Sequence, residues 1–435
     1  MSPLFECQLV VNGAIRDAVS SLGGLMVFHG AMSWGLLAVS IVAVLLTVNA
    51  FSPVRREPLS VLSFALGWIP GELPIQVMVV NLIVILVLVD DGALHHWPGW
   101  AGLALTAVSW AGLIRLVFVA RGAKGLVDAA LAEATMGPVD LDGFDSSPAW
   151  NYWWRLAIAV PFRWRAIRRI RNIDYWGDGI GRHRLDILQP RGGPPEPGPV
   201  LVYIHGGAWV IGDKRQQGIP MMHELIQRGW VCVAINYRLS PRATWPDHIV
   251  DCKRAVAWVR AHIAEYGGDP GFIAVSGGSA GGHLSALVAL TADDPAWQPG
   301  FEDADSSVDA CIPYYGVYDM TGNDDPGLLK LLEDRVMKVP IEGNRRIFEQ
   351  ASPTQRVTSS APPMFVFHGM NDTLVPLVVA RDFVARLREV SGSPVGYVEL
   401  PRTQHAFDVL ASIRCRHTTI GAVRFLEGMR ARVET

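Results

Sequence analysis

The sequence predicts two dissimilar parts: a mostly parallel, doubly wound α/β sheet with helices on both faces, and before it an all-α membrane domain of about three transmembrane helices. Only 13 of the 79 charged residues fall in residues 1–130 of the 435-residue chain. Beyond about residue 172, short apolar runs rich in β-formers alternate with segments of helical periodicity, which is typical of a parallel sheet covered on both faces. We therefore expect a transmembrane domain at 1–130, an amphipathic connector and cap at 131–172, and an α/β domain at 173–435.

Composition excludes several classes of protein. The formal net charge of -3 lacks the basic surplus of a nucleic-acid-binding protein. Five scattered cysteines, an odd number without a CxxC pair, disfavour a disulfide framework and a zinc site. We expect no nucleic-acid partner, no metal and no cofactor, and the oligomeric state is left open.

Three apolar runs predict the membrane domain. Leu25 to Val48 and Trp97 to Ala120 are each about 24 residues long, and a spanning helix needs about 20. Leu59 to Val89 lies between them and is interrupted at Pro70 to Pro74. Either one kinked helix spans there, or Leu73 to Val89 spans alone and Leu59 to Ile69 is an interfacial or re-entrant piece. We expect three spans, with four as the alternative.

The basic residues near the spans predict the orientation. Arg55 and Arg56 lie in the first loop, whereas Arg121 and Lys124 follow the last span. Because Lys and Arg are enriched on the cytoplasmic side, the chain is expected to be a multi-pass cell-membrane protein with an outer N-terminus. The α/β domain would then lie in the cytoplasm.

The connector combines aromatic rings with arginines. Pro161 is expected to split it into two short helices. Such a segment suits the headgroup zone of an anionic leaflet, and the alternative is a soluble cap helix with solvated arginines. Its residues are Trp150, Tyr152, Trp153, Trp154, Arg155, Phe162, Arg163, Trp164, Arg165, Arg168, Arg169 and Arg171.

Two glycine-rich motifs predict a nucleophile and an oxyanion hole. Gly277 to Gly281 matches GxSxG between a strand and a helix, which is the context of a nucleophile elbow with Ser279 at its tip. His205 to Trp209 follows another apolar strand, and its small residues let backbone N–H groups approach an ester oxygen. No GK[ST] follows, which disfavours a phosphate-binding loop.

An acid and a base come later in the chain. Asp372 lies just past one predicted strand and His405 just past the last, so the order is Ser, Asp, His. His405 is expected to take the Ser279 proton and return it to the leaving alcohol, while Asp372 holds the imidazole. Asp319, Asp408 and His283 are weaker alternatives. Residues 320–360 fit no sheet element and are a possible lid.

Five motifs in order carry a resemblance. They are HGGAW from His205, NYRLSP from Asn236, GGSAGG from Gly277, NDTLVP from Asn371 and HAF from His405. Over about residues 172–430 the chain resembles the hormone-sensitive-lipase-like branch of the α/β-hydrolase family, and within it most closely bacterial membrane-anchored carboxylesterases.

The resemblance implies a triad of Ser279, Asp372 and His405, with no cofactor. It also implies backbone oxyanion donors, and two positions depart from the family pattern. Ala208 stands where the family usually has glycine, and this change keeps the backbone N–H donor. Gly278 stands where many relatives have aspartate, and this change makes the substrate assignment less specific. The implied donors are Gly206, Gly207, Ala208 and Ala280.

Three functions follow as hypotheses. The first is a membrane-anchored serine carboxylesterase or lipase that hydrolyses small-molecule or lipid esters through an acyl-enzyme. The second is an arylformamidase-type amidase, because the HGGxW form also occurs there. The third is a non-catalytic membrane scaffold or binding module with a hydrolase fold, which the intact set of catalytic residue types disfavours.

Overall fold

The computed structural model describes residues 29–135, 166–292, 294–322 and 325–433. Residues 25–28 of the first apolar run and residues 136–165 of the expected connector lie outside this described part.

From residue 29 onward, the N-terminal region contains the α-helices α1 (His29–Phe51), α2 (Leu59–Glu72), α3 (Pro74–Asp90) and α4 (Trp97–Thr135). Helices α1 and α4 are long and apolar enough to cross a membrane. Helices α2 and α3 meet at 91°, as in a broken span or a re-entrant loop, so the pair adds at most one crossing. Among the described residues there are therefore two or three helices that could span a membrane.

Small and hydroxyl-bearing residues join α1 to α4. Ser40 Oγ lies 2.9 Å from Thr106 Oγ1, and Thr47 Oγ1 lies 2.9 Å from Ser109 Oγ. At Gly102 an added Cβ would sit 2.9 Å from the backbone nitrogen of Leu37. Glycine and hydroxyl residues at such contacts are typical of helices that pack in a lipid environment.

Helix α4 also belongs to the α/β part of the molecule. Its second half carries Val127 and Leu131 into an apolar core shared with Phe425. The approach is close enough that a Cβ at Gly421 would lie 2.1 Å from a Val127 methyl group. The expected boundary at residue 130 falls inside this continuous helix.

The sheet has eight strands in the order β1-β2-β4-β3-β5-β6-β7-β8. Strand β2 pairs antiparallel with both of its neighbours, β1 and β4. All the other neighbouring strands, from β4 through β3 to β8, pair in parallel. This confirms the predicted mostly parallel α/β sheet. The strands are β1 (Ile167–Asp174), β2 (Arg184–Pro190), β3 (Gly198–Ile204), β4 (Val231–Ile235), β5 (Gly268–Gly278), β6 (Ala310–Tyr314), β7 (Met364–Gly369) and β8 (Val395–Leu400).

The sequence predicts a short edge strand over residues 173–176, before a glycine-rich turn, but β1 begins six residues earlier, at Ile167. It takes in Arg168, Arg169 and Arg171, which the sequence analysis assigned to the helical connector. The reason lies partly in an ion pair, because Arg169 Nε contacts the buried Asp186 on β2 at 2.7 Å. Only residues 131–135 and 166–172 of the expected connector are described, and they are helix and then turn and strand.

Helices cover both faces of the sheet, as the strand–helix alternation predicts. On one face, α4 packs with the helices after β3 and β8; on the other lie the helices after β4, β5 and β7. These helices are α5 (Ile219–Ile226), α6 (Asp247–His262), α7 (Ala280–Leu290), α10 (Leu377–Val390) and α11 (Ile413–Val433).

The described residues of 320–360, the segment expected as a possible lid, form a helical insertion between β6 and β7. It contains α8 (Pro326–Leu331), a π-helical turn (Leu332–Val336) and α9 (Arg345–Gln350). Leu332, Val336 and Phe348 are fully buried in the core that α6 and α7 share. Those three side chains therefore anchor the insertion to the body of the domain.

Candidate active site

Ser279 stands at a sharp turn between β5 and α7. Its φ of 59° and ψ of -124° lie outside the usual regions for a residue with a side chain. The Ser279 N–H donates to Tyr314 O at 3.0 Å on the neighbouring strand. Residues 272–278 and Ala280 are buried, whereas Ser279 is half-buried. The turn therefore holds the serine at the carboxyl edge of the sheet with part of its surface open.

The loop after β3 packs directly against this turn. A Cβ at Gly206 would lie 2.4 Å from Gly278 O and 3.1 Å from Ser279 Cβ, so only glycine fits there. Gly207 and Ala208 follow with positive φ angles of 122° and 51°, so the backbone turns sharply beside the serine. The Gly206 N–H donates to Gln217 Oε1 at 2.7 Å. That amide hydrogen is therefore engaged inside the protein.

Asp372 and His405 meet across two loops. Asp372 follows β7, His405 follows β8, and His405 Nδ1 lies 2.6 Å from Asp372 Oδ2. Both residues are buried. Gln404 ties the loops together, since its Oε1 accepts hydrogen bonds from the N–H groups of His405 and Thr373. Parallel strands place these loops at the same sheet edge as Ser279.

The electrostatics favour an ionised Asp372. Burial alone would raise the pKa of this carboxyl group, but His405, together with His368 and the Val375 N–H, holds the pKa below its usual range. Asp372 Oδ1 also accepts the N–H groups of Leu374 and Val375, each at 2.8 Å. The carboxylate therefore has one oxygen fixed by backbone and the other directed at the imidazole.

A tyrosine and a second aspartate flank the imidazole. The Tyr315 ring lies 4.4 Å from the His405 ring, and the Tyr315 hydroxyl donates to Asp408. Burial raises the pKa of Asp408 to about 6. A Cβ at Gly278 would lie 2.6 Å from the Tyr315 hydroxyl oxygen, so this tyrosine fills the space that a side chain at 278 would need. Sequence analysis missed Tyr315, whose only signal is its position one residue after β6.

The alternative residues have other partners. Asp319 accepts hydrogen bonds from Thr321 and Ser352. His283 is fully buried between the Trp209 indole and the Ala351 carbonyl, and burial lowers its pKa to about 3. These two side chains therefore act as structural links, and Asp408 is engaged by Tyr315 as described above.

Helix α2 supplies contacts that no motif predicts. The Phe64 ring lies edge-on to His405 at 6.1 Å, and Trp68 Nε1 donates to Ala406 O at 3.0 Å. Behind them, Arg414 and Glu72 form a buried ion pair at 2.6 Å. A lone Glu in an apolar run is a signal that it has a partner, but the sequence does not name Arg414.

Comparisons with known proteins agree with this architecture. Residues 185–387 match the BD-FAE family model. The probable carboxylic ester hydrolase LipM of Mycobacterium tuberculosis is 43% identical over 428 residues, covering 93% of this chain and 95% of LipM. Esterase LipQ of the same organism is 50% identical over 254 residues, covering 58% of this chain and 60% of LipQ.

A solved structure supports the fold. A truncated carbohydrate esterase from gut microbiota superimposes with a TM-score of 0.52 at 23% identity, covering 60% of this chain and 96% of that protein. The similarity to LipM extends over both the N-terminal helices and the α/β part of the chain. This chain therefore belongs to the carboxylic ester hydrolases of the α/β-hydrolase fold, in the hormone-sensitive-lipase-like branch that carries the BD-FAE domain.

Proposed function

We propose that the chain is a membrane-anchored serine carboxylesterase or lipase that works through a Ser279–His405–Asp372 triad. The observation that carries the proposal is the 2.6 Å contact of His405 Nδ1 with Asp372 Oδ2. It lies at the sheet edge where Ser279 occupies its strained turn. The chain order Ser, Asp, His and the place of each residue just after a strand are typical of the serine triad in the α/β-hydrolase fold.

The proposed reaction has two halves. Ser279 Oγ attacks the ester carbonyl while His405 Nε2 takes the hydroxyl proton, and Asp372 stabilises the imidazolium that forms. The tetrahedral intermediate collapses to an acyl-enzyme when His405 gives that proton to the leaving alcohol. Water then attacks the acyl group by the same proton transfers, which releases the carboxylic acid and restores Ser279.

Backbone N–H groups would stabilise the negative charge on the intermediate. The predicted donors were Gly206, Gly207, Ala208 and Ala280. Because the Gly206 N–H already donates to Gln217, we assign the role to the other three. Gly207 and Ala208 lie on the loop against Ser279, and Ala280 is the first residue of α7, where N–H groups are free of helical partners.

The proposed anchor is a bundle of three spans. Helices α1, α3 and α4 would cross the membrane, and α2 would not, because the 91° bend sets it across the direction of α3. The carboxyl end of α1 and the second half of α4 both contact the hydrolase part, so they would leave the membrane on its side. Arg55 and Arg56 lie on that side too, which makes it cytoplasmic by the distribution of positive charge.

The domain proposal changes accordingly. We keep a helical membrane part and an α/β-hydrolase part, but the second half of α4 belongs to the folding unit of the hydrolase.

The comparisons favour ester hydrolysis over the arylformamidase alternative, since the relatives named above are ester hydrolases or esterases.

A covalent probe tests the triad directly. A fluorophosphonate should label the full-length protein in detergent at Ser279 and should not label Ser279→Ala. Reporter fusions after residue 433 should be active only in the cytoplasm. Labelling at another residue would refute the nucleophile, and periplasmic reporter activity would refute the orientation.

A further inference from the structure

Helix α2 forms one wall of the proposed active site. Thr373, next to Asp372, donates its hydroxyl to Ser60 O at 3.0 Å. One turn further, Phe64 lies against the His405 ring, and the next turn carries Trp68 to the Ala406 carbonyl. Three successive turns of one face therefore touch the two loops that hold the acid and the base.

The opposite face of α2 is apolar and open. Its five large apolar side chains are between 41% and 57% exposed: Leu59, Val61, Leu62, Leu66 and Ile69. Small residues face inward instead, since Ser60, Ser63 and Gly67 are buried. A helix on the surface of a soluble domain shows the reverse arrangement, with its apolar stripe toward the core. The medium that suits the outer face of α2 is therefore an apolar one.

The helices next to α2 indicate which apolar medium this is. Helices α1, α3 and α4 also expose large apolar side chains, so the outer face of α2 continues the surface proposed to meet lipid. If α3 crosses the bilayer, the 91° bend lays α2 in the membrane plane. The exposed Arg55 and Arg56 precede α2, where they would meet anionic headgroups. Helices of this kind lie at the boundary of headgroups and acyl chains.

We propose that α2 lies in the cytoplasmic leaflet and that the site takes its ester from the bilayer, so that the substrate class is an acyl ester of a membrane-resident lipid. This inference rests on the proposed function and names the substrate source for the same site. One face of α2 would touch acyl chains while the other supports His405. The ester carbonyl of a lipid lies at the depth of an interfacial helix, so the lipid need not leave the membrane.

An activity ratio tests the proposal on the full-length protein in phosphatidylglycerol/phosphatidylethanolamine nanodiscs. The probes are 4-methylumbelliferyl oleate dissolved in the bilayer and 4-methylumbelliferyl butyrate dissolved in water, which share one leaving group. For Leu62→Glu/Leu66→Glu we expect kcat/KM to fall about tenfold or more on the oleate, because a charged side chain opposes burial in lipid. Activity on the butyrate should stay within about twofold, since neither leucine is among the residues that contact His405 or Ala406.

The matched control is Ile180→Glu, which places the same charge at an exposed apolar residue of the hydrolase part. It should leave the ratio of the two activities at the wild-type value. A wild-type ratio for Leu62→Glu/Leu66→Glu overturns the proposal, and so does an equal loss on both esters.

A second measurement does not depend on activity. Four cysteines are buried, so a Cys7→Ser background allows a fluorophore to be attached at Leu62→Cys or, as the control, at Ile180→Cys. Spin-labelled lipid should quench the label at position 62 and spare the label at position 180. If aqueous iodide quenches the label at position 62 and spin-labelled lipid does not, the proposal is overturned. If Ser279→Ala still hydrolyses both esters, the proposed function fails instead, and the lipid contact of α2 stands on the quenching result.

Discussion

Replacing Asp372 by asparagine should reverse the hydrogen-bonding role of the side chain that faces His405. Asp372 Oδ1 accepts two backbone N–H groups, from Leu374 and Val375, at 2.8 Å each. An amide NH₂ cannot replace an acceptor between two donors, so the asparagine oxygen must keep that place. Its NH₂ group then points at His405 Nδ1, where Asp372 Oδ2 now lies at 2.6 Å.

The wrong imidazole tautomer follows from this geometry. With an NH₂ donor against it, His405 Nδ1 must be the acceptor, and its proton moves to Nε2. An Nε2 that carries a proton cannot take the proton of Ser279. The loss of negative charge also removes the group that stabilises the imidazolium. We therefore expect Asp372→Asn to lower kcat by about 10⁴-fold, which is roughly 5.5 kcal/mol in activation free energy.

The assay is the hydrolysis of a water-soluble p-nitrophenyl ester by the full-length protein in detergent, with thermal unfolding followed on the same samples. Asp319→Asn is the matched control, because Asp319 accepts hydrogen bonds from Thr321 and Ser352, away from the imidazole. It should keep kcat within about threefold of wild type. Equal losses for the two variants, or a loss below about tenfold for Asp372→Asn, would refute the argument.

Three further outcomes are expected. Ser279→Ala should lower kcat by about 10⁴-fold or more without a change in Tm, and retention of more than about a tenth of the activity would exclude Ser279 as the nucleophile. Burial raises the pKa of Asp408 to about 6, so the folded protein favours the protonated carboxyl group. The contribution of Asp408 to the free energy of unfolding is therefore fully present below its unfolded pKa of about 3.9 and is lost as the pH rises through about 6. Asp408→Asn, which still accepts the Tyr315 hydroxyl, should therefore unfold at a higher temperature than wild type above about pH 6 and near the wild-type temperature at about pH 4; the same difference at both pH values would contradict this. Arg414→Met should destabilise the protein by about 3–5 kcal/mol in thermal unfolding, because it leaves Glu72 buried without its cation. Glu72→Met/Arg414→Met should recover most of this loss. If the double variant is as unstable as Arg414→Met, the broken ion pair is not the cause of the destabilisation.

The strands were predictable, and the candidate site residues could be assigned to strand ends, because each assignment depends on a short local pattern. A buried parallel strand is an apolar run of about five to seven residues, as β3, β4 and β6 show. The residues that follow parallel strands lie at one edge of the sheet, so the strand-end positions of Ser279, Asp372 and His405 predicted that all three lie at the same edge. Asp319 also lies between Ser279 and His405 in the chain, but it precedes the expected lid, whereas Asp372 follows the strand next to the loop that carries His405.

Contacts between distant segments were not predictable in this way. Tyr315 and Asp408 are joined across 93 residues, and Arg414 finds Glu72 across 342. No periodicity records such pairs. Strand β1 was placed too late for a similar reason, because the arginine pattern at 168–171 suggested a solvated or headgroup-facing helix. The partner that supports a strand there, Asp186, lies on β2.

Helix α4 explains how the site and the proposed anchor are coupled. A flexible tether would leave the hydrolase free to turn at the membrane surface, and its site could then face water. Instead one uninterrupted helix of 39 residues carries an apolar, outward-facing first half into a second half that lies in the core beside β8 and α11. The Arg414–Glu72 ion pair fixes the α2–α3 break to the start of α11, and α2 fixes the His405 loop. Because these contacts are buried or partly buried and join segments far apart in the chain, the hydrolase keeps one orientation relative to the helices, with the acid and base loops against α2.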